Sequence, residues 1–331
     1  MVRTLDDYRR IVEQGLTEIN YPSGVESLYE PIRYTLSTGG KRIRPVLMLA
    51  TYDWLRGGRD GVMDPGIVKV AVAVELFHNF SLLHDDLMDR SALRRGQPTV
   101  WRKWSPDVAL LSGDAMSIMA FGMLSDTGCK RVDEVLREFA AMAQSICQGQ
   151  QLDMEFEAKA DSVTQDEYLS MIDLKTAALF VRSQTMAAHL AEADVQVRSQ
   201  LAVVGGMFGR AFQIQDDLLD TYGTTARLGK ECGDDIVDNK VTFLQIYARD
   251  HANTQQREEL RASQREESSR AEKVHRVKAV YDAVGVREAT EKQIQRLYEQ
   301  AVQHLEQAEQ AQGRRHELMR AVLTKLQDRD S

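Results

Sequence analysis

Residues 71–89 are AVAVELFHNFSLLHDDLMD, a long apolar run that ends in three carboxylates. Asp64 and Pro65 precede it as a capping residue and a proline at the first helical position, which together predict where a helix begins. The apolar residues continue toward a stop near Gly96. A helix of this length with so few polar side chains is expected to be buried, so the stretch predicts a helical core.

The rest of the chain continues the helical pattern. Helical periodicity covers residues 132–157, 165–191, 195–222 and 242–249, and a last apolar stripe lies at 294–305. Strand-like alternation is not sustained anywhere, and 21 glycines with 6 prolines is a low content of helix breakers for 331 residues. The sequence therefore predicts an all-α fold, organised as one helical bundle.

Composition and charge exclude several classes of protein. The net charge of −8 argues against nucleic-acid binding by bulk electrostatics, and three cysteines without CxxC spacing favour neither a disulfide framework nor a zinc site. The start, MVRTLDDYRR, has no apolar signal segment, and the apolar stretches 67–74 and 108–124 are interrupted by Lys69, Gly113 and Asp114. We expect a soluble, cytoplasmic protein without an integral membrane segment.

One acidic pattern, DDxxD, occurs twice, at 85–89 and at 216–220. On a helix the first and last carboxylates of each motif share one face. A single such triplet is most often a solvated helix face, but both motifs here follow strongly apolar helices, where burying like charges without a counter-ion is costly. A divalent cation removes that cost, and oxygen ligands without a Cys or His set favour Mg²⁺ over zinc.

Cationic side chains lie close to the acidic motifs in sequence. Two arginines follow the first motif and two lysines follow the second, namely Arg94, Arg95, Lys230 and Lys240. Another basic cluster, GGKRIRP at 39–45, combines glycines that allow close backbone approach with Pro45, which is expected to open a helix whose N-terminus favours an anion. Carboxylates for Mg²⁺ beside cations predict a phosphate-bearing substrate.

Five motifs together resemble those of one known family. GGKRIRP, LLHDDLMDRSALRRGQPTVW, the Lys-Thr pair in MIDLKTAALF, FQIQDDLLD and LGKECGDDIVDNKVT occur in the order and spacing of the trans-isoprenyl diphosphate synthases, the polyprenyl synthetase family. The resemblance covers about 35–245, with C-terminal helices expected at about 274–327. It implies a single domain over 1–331 of the isoprenoid synthase type, usually homodimeric, whose two acidic motifs face a deep central cavity and share three Mg²⁺ ions.

The resemblance also implies roles for individual residues. The Mg²⁺ ligands would be Asp85, Asp86, Asp89, Asp216, Asp217 and Asp220. The allylic diphosphate would be bound by Arg94, Lys175, Lys230 and Lys240, and isopentenyl diphosphate by Lys41, Arg44, His78 and Arg95. Lys175, Thr176 and Gln213 are the catalytic candidates, the last two against the reacting carbons. Asn239 and Trp101 depart from the family pattern, which often has Gly and His there, and Gln150 with Asp153 matches a family motif or forms a buried polar pair.

Product length is expected to depend on the helix before the first motif. Ser81 lies four residues, or one turn, before Asp85, and its small side chain would leave room for another isoprene unit. Phe80 and Phe77 could then form a floor, although Phe77 is as readily a simple core residue. An aromatic residue followed by a small one resembles geranylgeranyl diphosphate synthases of the archaeal type, so that product is expected, with farnesyl or longer-chain products as the alternative.

Three other functions fit the sequence less well. A class I terpene cyclase usually lacks the second DDxxD and the GGKR element, and a non-catalytic partner subunit typically loses one acidic motif. A metal phosphohydrolase built on the pair His84-Asp85 would need further metal-binding histidines, and the other histidines are scattered. The resemblance therefore favours a prenyltransferase that ionises an allylic diphosphate and adds isopentenyl diphosphate 1′–4, head to tail.

Overall fold

The computed structural model describes residues 3–58, 62–223, 232–265 and 269–327. Lys230, one of the predicted diphosphate ligands, lies outside these residues. The described α-helices are α1 (Leu5–Thr17), α2 (Glu26–Ser37), α3 (Ile43–Arg56), α4 (Pro65–Met88), α5 (Val100–Lys103), α6 (Pro106–Ser125), α7 (Val132–Glu157), α8 (Gln165–Ile172), α9 (Ala178–Leu190), α10 (Val195–Tyr222), α11 (Asp234–Val237), α12 (Phe243–His251), α13 (Thr254–Arg265), α14 (Arg270–Ala283), α15 (Val286–Gln312) and α16 (Glu317–Gln327).

A π-helical turn and a two-stranded hairpin complete the described chain. A π-helical turn, Asp173–Ala177, joins α8 to α9. Strands β1 (Leu93–Arg94) and β2 (Gln97–Pro98) pair antiparallel, with Leu93 opposite Pro98. The predicted all-α fold is confirmed.

The described residues cluster into two compact units. The first comprises the described parts of Met1–Gln144, Leu179–Gly205 and Val302–Lys325, and the second those of Ser145–Ala178, Gly206–Ala301 and Leu326–Ser331. The first acidic motif belongs to the first unit and the second motif to the second unit. A single domain over the whole chain stays a prediction.

Helix α4 is the core helix of the first unit. It begins where predicted, because the Asp64 carboxylate accepts a hydrogen bond from the Gly66 N–H (2.8 Å) and Pro65 takes the first helical position. Its buried face packs along α6, where Gly113 leaves room for the ring of His84. A Cβ atom added at Gly113 would lie 2.2 Å from His84 Nε2, so the two helices approach closely there.

The end of α4 differs from the prediction, since the helix stops at Met88 and does not continue toward Gly96. Arg90 has a left-handed φ of 53°, which an α-helix cannot contain. Arg95 and Gly96 also have positive φ, 53° and 74°, and form the two-residue turn between β1 and β2. Arg94 and Arg95 therefore lie on a hairpin that follows the acidic motif.

Among the described helices, α4 and α6 are long and apolar enough to cross a membrane by length and composition. The interruptions at Lys69, Gly113 and Asp114 predict that neither stretch is long enough to cross a membrane. One or two charged residues nevertheless leave the mean hydropathy of the most apolar part of each helix at 1.5. The most apolar window of α4 is 67% buried inside the protein, as in a core helix, whereas that of α6 is 33% buried. Length and composition are weak evidence of a membrane span, because core helices share them.

The polar stretch 251–273 forms α13 and the beginning of α14, so the exposed-helix alternative is confirmed for the described part. Arg276 on α14 donates a hydrogen bond to Glu259 on α13 (2.5 Å), and Ser263 is buried. The polar sequence therefore packs on a neighbouring helix through a few contacts.

Candidate active site

The basic cluster at 39–45 is fixed by a buried arginine. Arg42 has a left-handed φ of 48°, and α3 begins at Ile43, two residues before the predicted opening at Pro45. The fully buried Arg42 guanidinium donates hydrogen bonds to Glu13 and Glu75, both at 2.8 Å. These ion pairs hold the cluster against α1 and α4, and Lys41 remains exposed.

Arg44 and His78 meet beside this cluster. Arg44 Nη1 donates to His78 Nε2 at 3.0 Å, and the Arg44 guanidinium lies 4.5 Å from the ring centroid of Phe180. Burial, followed by the charges of Arg44 and Arg95, holds the pKa of His78 well below its usual value. The ring is therefore neutral, and since Nε2 accepts, Nδ1 carries the proton. Within the described chain the buried Nδ1–H has no hydrogen-bond partner.

Arg95 approaches the same cluster from the hairpin. Its guanidinium donates to the Gly39 carbonyl, and a Cβ atom added at Gly40 would lie 3.1 Å from it. Gly40 also has a φ of +148°, so a side chain would be both strained and crowded at this position. The structure thus brings Arg44 to His78 and Arg95 to the glycine pair, and the binding of isopentenyl diphosphate by these residues stays a prediction.

The first acidic motif ends α4 and is held by Arg94. Arg94 Nε donates to both oxygens of Asp86, at 2.8 and 2.9 Å, and its Nη2 lies 3.6 Å from Asp85 Oδ2. Burial raises the pKa of Asp86 to about 6, although the charge of Arg94 lowers it. The Asp89 N–H donates to the Asp85 carbonyl (2.9 Å) and closes the last turn. A cation that binds here would relieve the cost of the buried Asp86 charge.

The second acidic motif belongs to a chain of hydrogen bonds. Thr176 donates to Gln213 Oε1 (2.8 Å), and Gln213 Nε2 donates to Asp217 Oδ1 (2.8 Å). The Tyr168 hydroxyl donates to the other Asp217 oxygen (2.6 Å), and burial raises the pKa of Asp217 to about 6. Asp220 Oδ2 accepts the Asp235 N–H (3.0 Å). Two predicted catalytic residues, Thr176 and Gln213, are therefore in direct contact.

One buried carboxylate joins two of the predicted diphosphate-binding lysines. Lys175 Nζ lies 2.6 Å and Lys240 Nζ 3.4 Å from Asp153 Oδ2, and Lys240 also lies 3.7 Å from Glu157. Burial alone would raise the pKa of Asp153, but the two ammonium groups outweigh it and hold the pKa below its usual value. Asp153 therefore gathers the cations beside the second motif.

The π-helical turn carries Lys175 and Thr176 between two glycines. A Cβ atom added at Gly149 on α7 would lie 2.3 Å from the Lys175 nitrogen, and one at Gly209 on α10 would lie 2.5 Å from Ala177 Cα. Both helices therefore press on the turn with bare backbone. Short π turns occur often at functional sites, because they redirect side chains within a helix.

The predicted chain-length residues lie in an aromatic cluster of the first unit. Phe77 is buried and contacts Phe80 and Phe139 edge to face, at 4.9 and 5.2 Å between ring centroids. Phe139 contacts Phe121 in the same way at 5.0 Å. The Ser81 hydroxyl donates to the His78 carbonyl (2.8 Å), so this small polar side chain is hydrogen-bonded within its own helix. Phe77 is thus a core residue, and it also supports Phe80.

The donor chemistry of both motifs fits Mg²⁺. Within the described ranges, no three His, Cys, Asp or Glu side chains already meet in the arrangement of a metal site. Each motif nevertheless offers carboxylate oxygens only, and in each motif burial raises the pKa of one carboxyl group to about 6. Hard oxygen donors in a partly buried acidic cluster are the ligands that Mg²⁺ prefers.

Sequence reasoning missed several residues that shape the site. Glu75 and Asn79 carried a signal, because polar residues four apart inside an apolar helix face each other, and Asn79 Nδ2 donates to Glu75 Oε1 (3.0 Å). Tyr168 carried none, since a tyrosine in an amphipathic helix is ordinary. Its hydrogen bond to Asp217 depends on a neighbour 49 positions away.

Comparison with known proteins decides the family. The polyprenyl synthetase family model matches residues 25–284. The chain belongs to the polyprenyl synthetase family. This polyprenyl synthetase is 39% identical over 255 residues to the geranylfarnesyl diphosphate synthase of Natronomonas pharaonis, covering 73% of this chain and 74% of the relative. It is 36% identical over 239 residues to the geranylgeranyl diphosphate synthase of Methanosarcina mazei, covering 72% of each chain.

A solved structure extends the similarity to almost the whole chain. The polyprenyl synthetase superimposes with a TM-score of 0.86 on geranylgeranyl pyrophosphate synthase from Corynebacterium glutamicum, solved with isoprenyl diphosphate and magnesium. The two are 27% identical, and the match covers 99% of this chain and 100% of the other. The predicted family, all-α fold and enzyme class are confirmed, so the chain is a trans-prenyltransferase. Its family uses Mg²⁺ and isoprenoid diphosphates.

Proposed function

We propose that this polyprenyl synthetase makes geranylgeranyl diphosphate by adding isopentenyl diphosphate to shorter allylic diphosphates. The observation that carries the proposal is that each acidic motif lies among its own cations and hydrogen-bond donors. Arg94 contacts the first motif, while Asp153, close to the second, holds Lys175 and Lys240. A longer product is the second candidate, because one relative at 39% identity is a geranylfarnesyl diphosphate synthase.

The basic cluster is assigned to isopentenyl diphosphate. Lys41 and Arg44 supply positive charge, Arg95 is fixed against Gly39, and the neutral His78 offers its Nδ1–H. Charge-assisted hydrogen bonds of this kind are about twice as strong as neutral ones. The site therefore binds a diphosphate and leaves the isopentenyl double bond free to react.

Both acidic motifs are assigned to Mg²⁺. The ligands would be Asp85, Asp86, Asp89, Asp216, Asp217 and Asp220, and three ions are expected. Mg²⁺ supplies electrostatic stabilisation of the allylic diphosphate as its C–O bond breaks. Arg94, Lys175 and Lys240, together with Lys230, would bind the same diphosphate.

Side chains of the protein would stabilise the allylic carbocation that forms when the C–O bond breaks. Gln213 receives the Thr176 hydroxyl at its Oε1 and donates to Asp217, so the amide cannot rotate freely. Its fixed oxygen and that of Thr176 would stabilise positive charge on the allylic carbons. The double bond of isopentenyl diphosphate attacks C1′ of the allylic cation, which forms the 1′–4 bond. The released diphosphate accepts the proton that is then lost.

A homodimer is part of the proposal. The exposed side of α6 presents Leu111 and Ile118, 59% and 72% exposed, and an added Cβ atom at Gly122 would meet nothing within 4 Å. Residues at these spacings share one helix face. A second copy of the chain suits this face better than a membrane, because Asp114 on the same face is 55% exposed. A cytoplasmic location is expected for such an enzyme.

The first prediction tests the reaction itself. The purified protein with Mg²⁺, isopentenyl diphosphate and farnesyl diphosphate is expected to yield geranylgeranyl diphosphate, identified by chromatography of the dephosphorylated product. Asp85→Ala and Asp216→Ala should lower kcat by several orders of magnitude because each removes a proposed metal ligand. Asp107→Ala, an exposed aspartate on α6, is the matched control and should keep wild-type turnover. Normal kcat in either motif variant would contradict the metal assignment.

A further inference from the structure

Helix α14 contacts residues 232–239, the described segment that directly precedes Lys240. At its first residue, Arg270 Nη2 donates to the Cys232 carbonyl (3.1 Å) and to Asp234 (2.7 Å). One turn later, Val274 lies so close to Gly233 that an added Cβ atom would be 2.8 Å from Val274 Cγ2. One helix face therefore holds the beginning of the segment.

Lys273, on the same face, holds the end of the segment. The buried Lys273 ammonium donates to the Val237 carbonyl and to Asn239 Oδ1, both at 2.8 Å. Burial lowers the pKa of Lys273, although the charge of Asp238 raises it. Burying a lysine ammonium costs free energy unless hydrogen bonds replace its contacts with water. Both hydrogen-bond partners of Lys273 belong to one short stretch of chain.

Asn239 has a backbone conformation that needs support. Its φ is +55°, in the left-handed region that most residues avoid and that Asn and Gly tolerate best. The next residue is Lys240, whose N–H donates to the Asp235 carbonyl (2.9 Å) and whose ammonium lies 3.4 Å from Asp153. The conformation of Asn239 therefore sets where the Lys240 side chain starts.

We propose that Lys273 is a positioning residue of this enzyme, which holds Asn239 in its left-handed conformation and thereby keeps Lys240 beside Asp153 for diphosphate binding. The proposal rests on the proposed function in one respect, the assignment of Lys240 to the allylic diphosphate. The role of Lys273 in holding Asn239 is independent of that assignment. This gives a function to α14, whose last residue, Ala283, is followed directly by the end of the family match at 284.

The test combines changes at both ends of the contact in the full chain. Lys273→Met removes the donor, Asn239→Ala removes the acceptor and strains the backbone, and Asn239→Gly removes the acceptor but adopts the left-handed conformation freely. Arg276→Met is the matched control, because Arg276 lies one turn further along α14 and bonds Glu259. For each protein we would measure KM and kcat for the allylic primer, the melting temperature, and amide hydrogen exchange in 234–243 without substrate.

Lys273→Met and Asn239→Ala are each expected to raise the KM for the primer about tenfold, with a smaller change in kcat, as for one lost charge-assisted hydrogen bond. Both should also accelerate exchange in 234–243. Asn239→Gly should stay near wild type, and Lys273→Met in the Asn239→Gly background should raise KM about threefold or less, because the backbone no longer needs the lysine. Arg276→Met should leave KM and exchange unchanged, whatever its melting temperature.

Two results would overturn the proposal. Lys273→Met could lower the melting temperature while KM and the exchange of 234–243 stay at wild-type values, which would make Lys273 a purely structural residue. Equal effects of Lys273→Met in the two backgrounds would show that it does not act through Asn239. If the wild-type protein formed no prenyl diphosphate, the proposed function would fail, and hydrogen exchange would still decide whether Lys273 holds Asn239.

Discussion

Among single residues, His316 shows how the first unit satisfies a buried polar group. Its Nδ1 accepts the Met319 N–H (3.3 Å), so Nε2 carries the proton and donates to the Thr51 hydroxyl (3.1 Å). Thr51 in turn donates to Gln184 Oε1 (2.6 Å), and the ring stacks on Trp54 at 4.9 Å. Both ring nitrogens are hydrogen-bonded in the neutral form, so a proton added at Nδ1 would break the hydrogen bond from the Met319 N–H.

This arrangement predicts a specific loss of stability in acid. Burial lowers the pKa of His316 to about 3 from an ordinary value of 6.5. The unfolded chain therefore binds a proton that the folded chain does not, and the contribution of His316, complete above pH 6.5, is lost as the pH falls. By pH 5 the loss is about 2 kcal/mol. His316→Gln should be less stable at pH 7.5, yet its melting temperature should fall less between pH 7.5 and 5 than that of wild type.

The control for this prediction is His275→Gln, because His275 is exposed on α14. Thermal unfolding followed by circular dichroism at several pH values compares the three proteins. A His316→Gln profile parallel to that of wild type would show that another group causes the acid sensitivity.

At the level of elements, α4 connects the acidic motif to the aromatic cluster. Ser81→Phe would place a ring one turn before Asp85, next to Phe80, and is expected to shorten the product toward farnesyl diphosphate. Phe80→Ala should lengthen it, because Phe77 and Phe139 remain as a deeper layer. Ser81→Ala, which stays small, should leave the product unchanged. Chromatography of dephosphorylated products compares the variants, and one distribution for all of them would place the floor elsewhere.

The sequence predicts the long helices well and their interruptions poorly. The bounds of α7 and α10 agree with the predicted 132–157 and 195–222, because an apolar period sustained over many turns leaves little choice. The π turn was not predicted because it depends on the close approach of Gly149 on α7, and the end of α4 was not predicted because the left-handed conformation of Arg90 leaves no mark on the apolar pattern. The same holds for the site. The repeated DDxxD motif identified the acidic residues, but Tyr168, which bonds Asp217, and Lys273, which bonds Asn239, come from helices distant in sequence.

At the level of the whole molecule, the exposed face of α6 determines the expected assembly. Ile118→Glu or Leu111→Glu would place a carboxylate beside Asp114 in the proposed interface, where like charges repel and an unpaired charge is costly to bury. Light scattering after size-exclusion chromatography should give twice the 37.4 kDa chain mass for the wild type and the single-chain mass for these variants. Val195→Glu adds the same charge at an exposed valine outside α6 and should leave the dimer intact. A wild-type monomer, or dimers in every variant, would reject this interface.

The π turn at Asp173–Ala177 depends on the exact number of residues in this part of the chain. It contains one residue more than an α-helical turn, and each residue of a helix rotates the chain by about 100°. Deleting Leu174 would let the helix run on as a regular α-helix, because the wide turn is what accommodates the extra residue. The side chain of Thr176, which the wide turn directs toward Gln213, would then point elsewhere and lose that hydrogen bond. A chain with one residue more or fewer here would therefore keep the helix but lose the side-chain arrangement that the proposed chemistry needs.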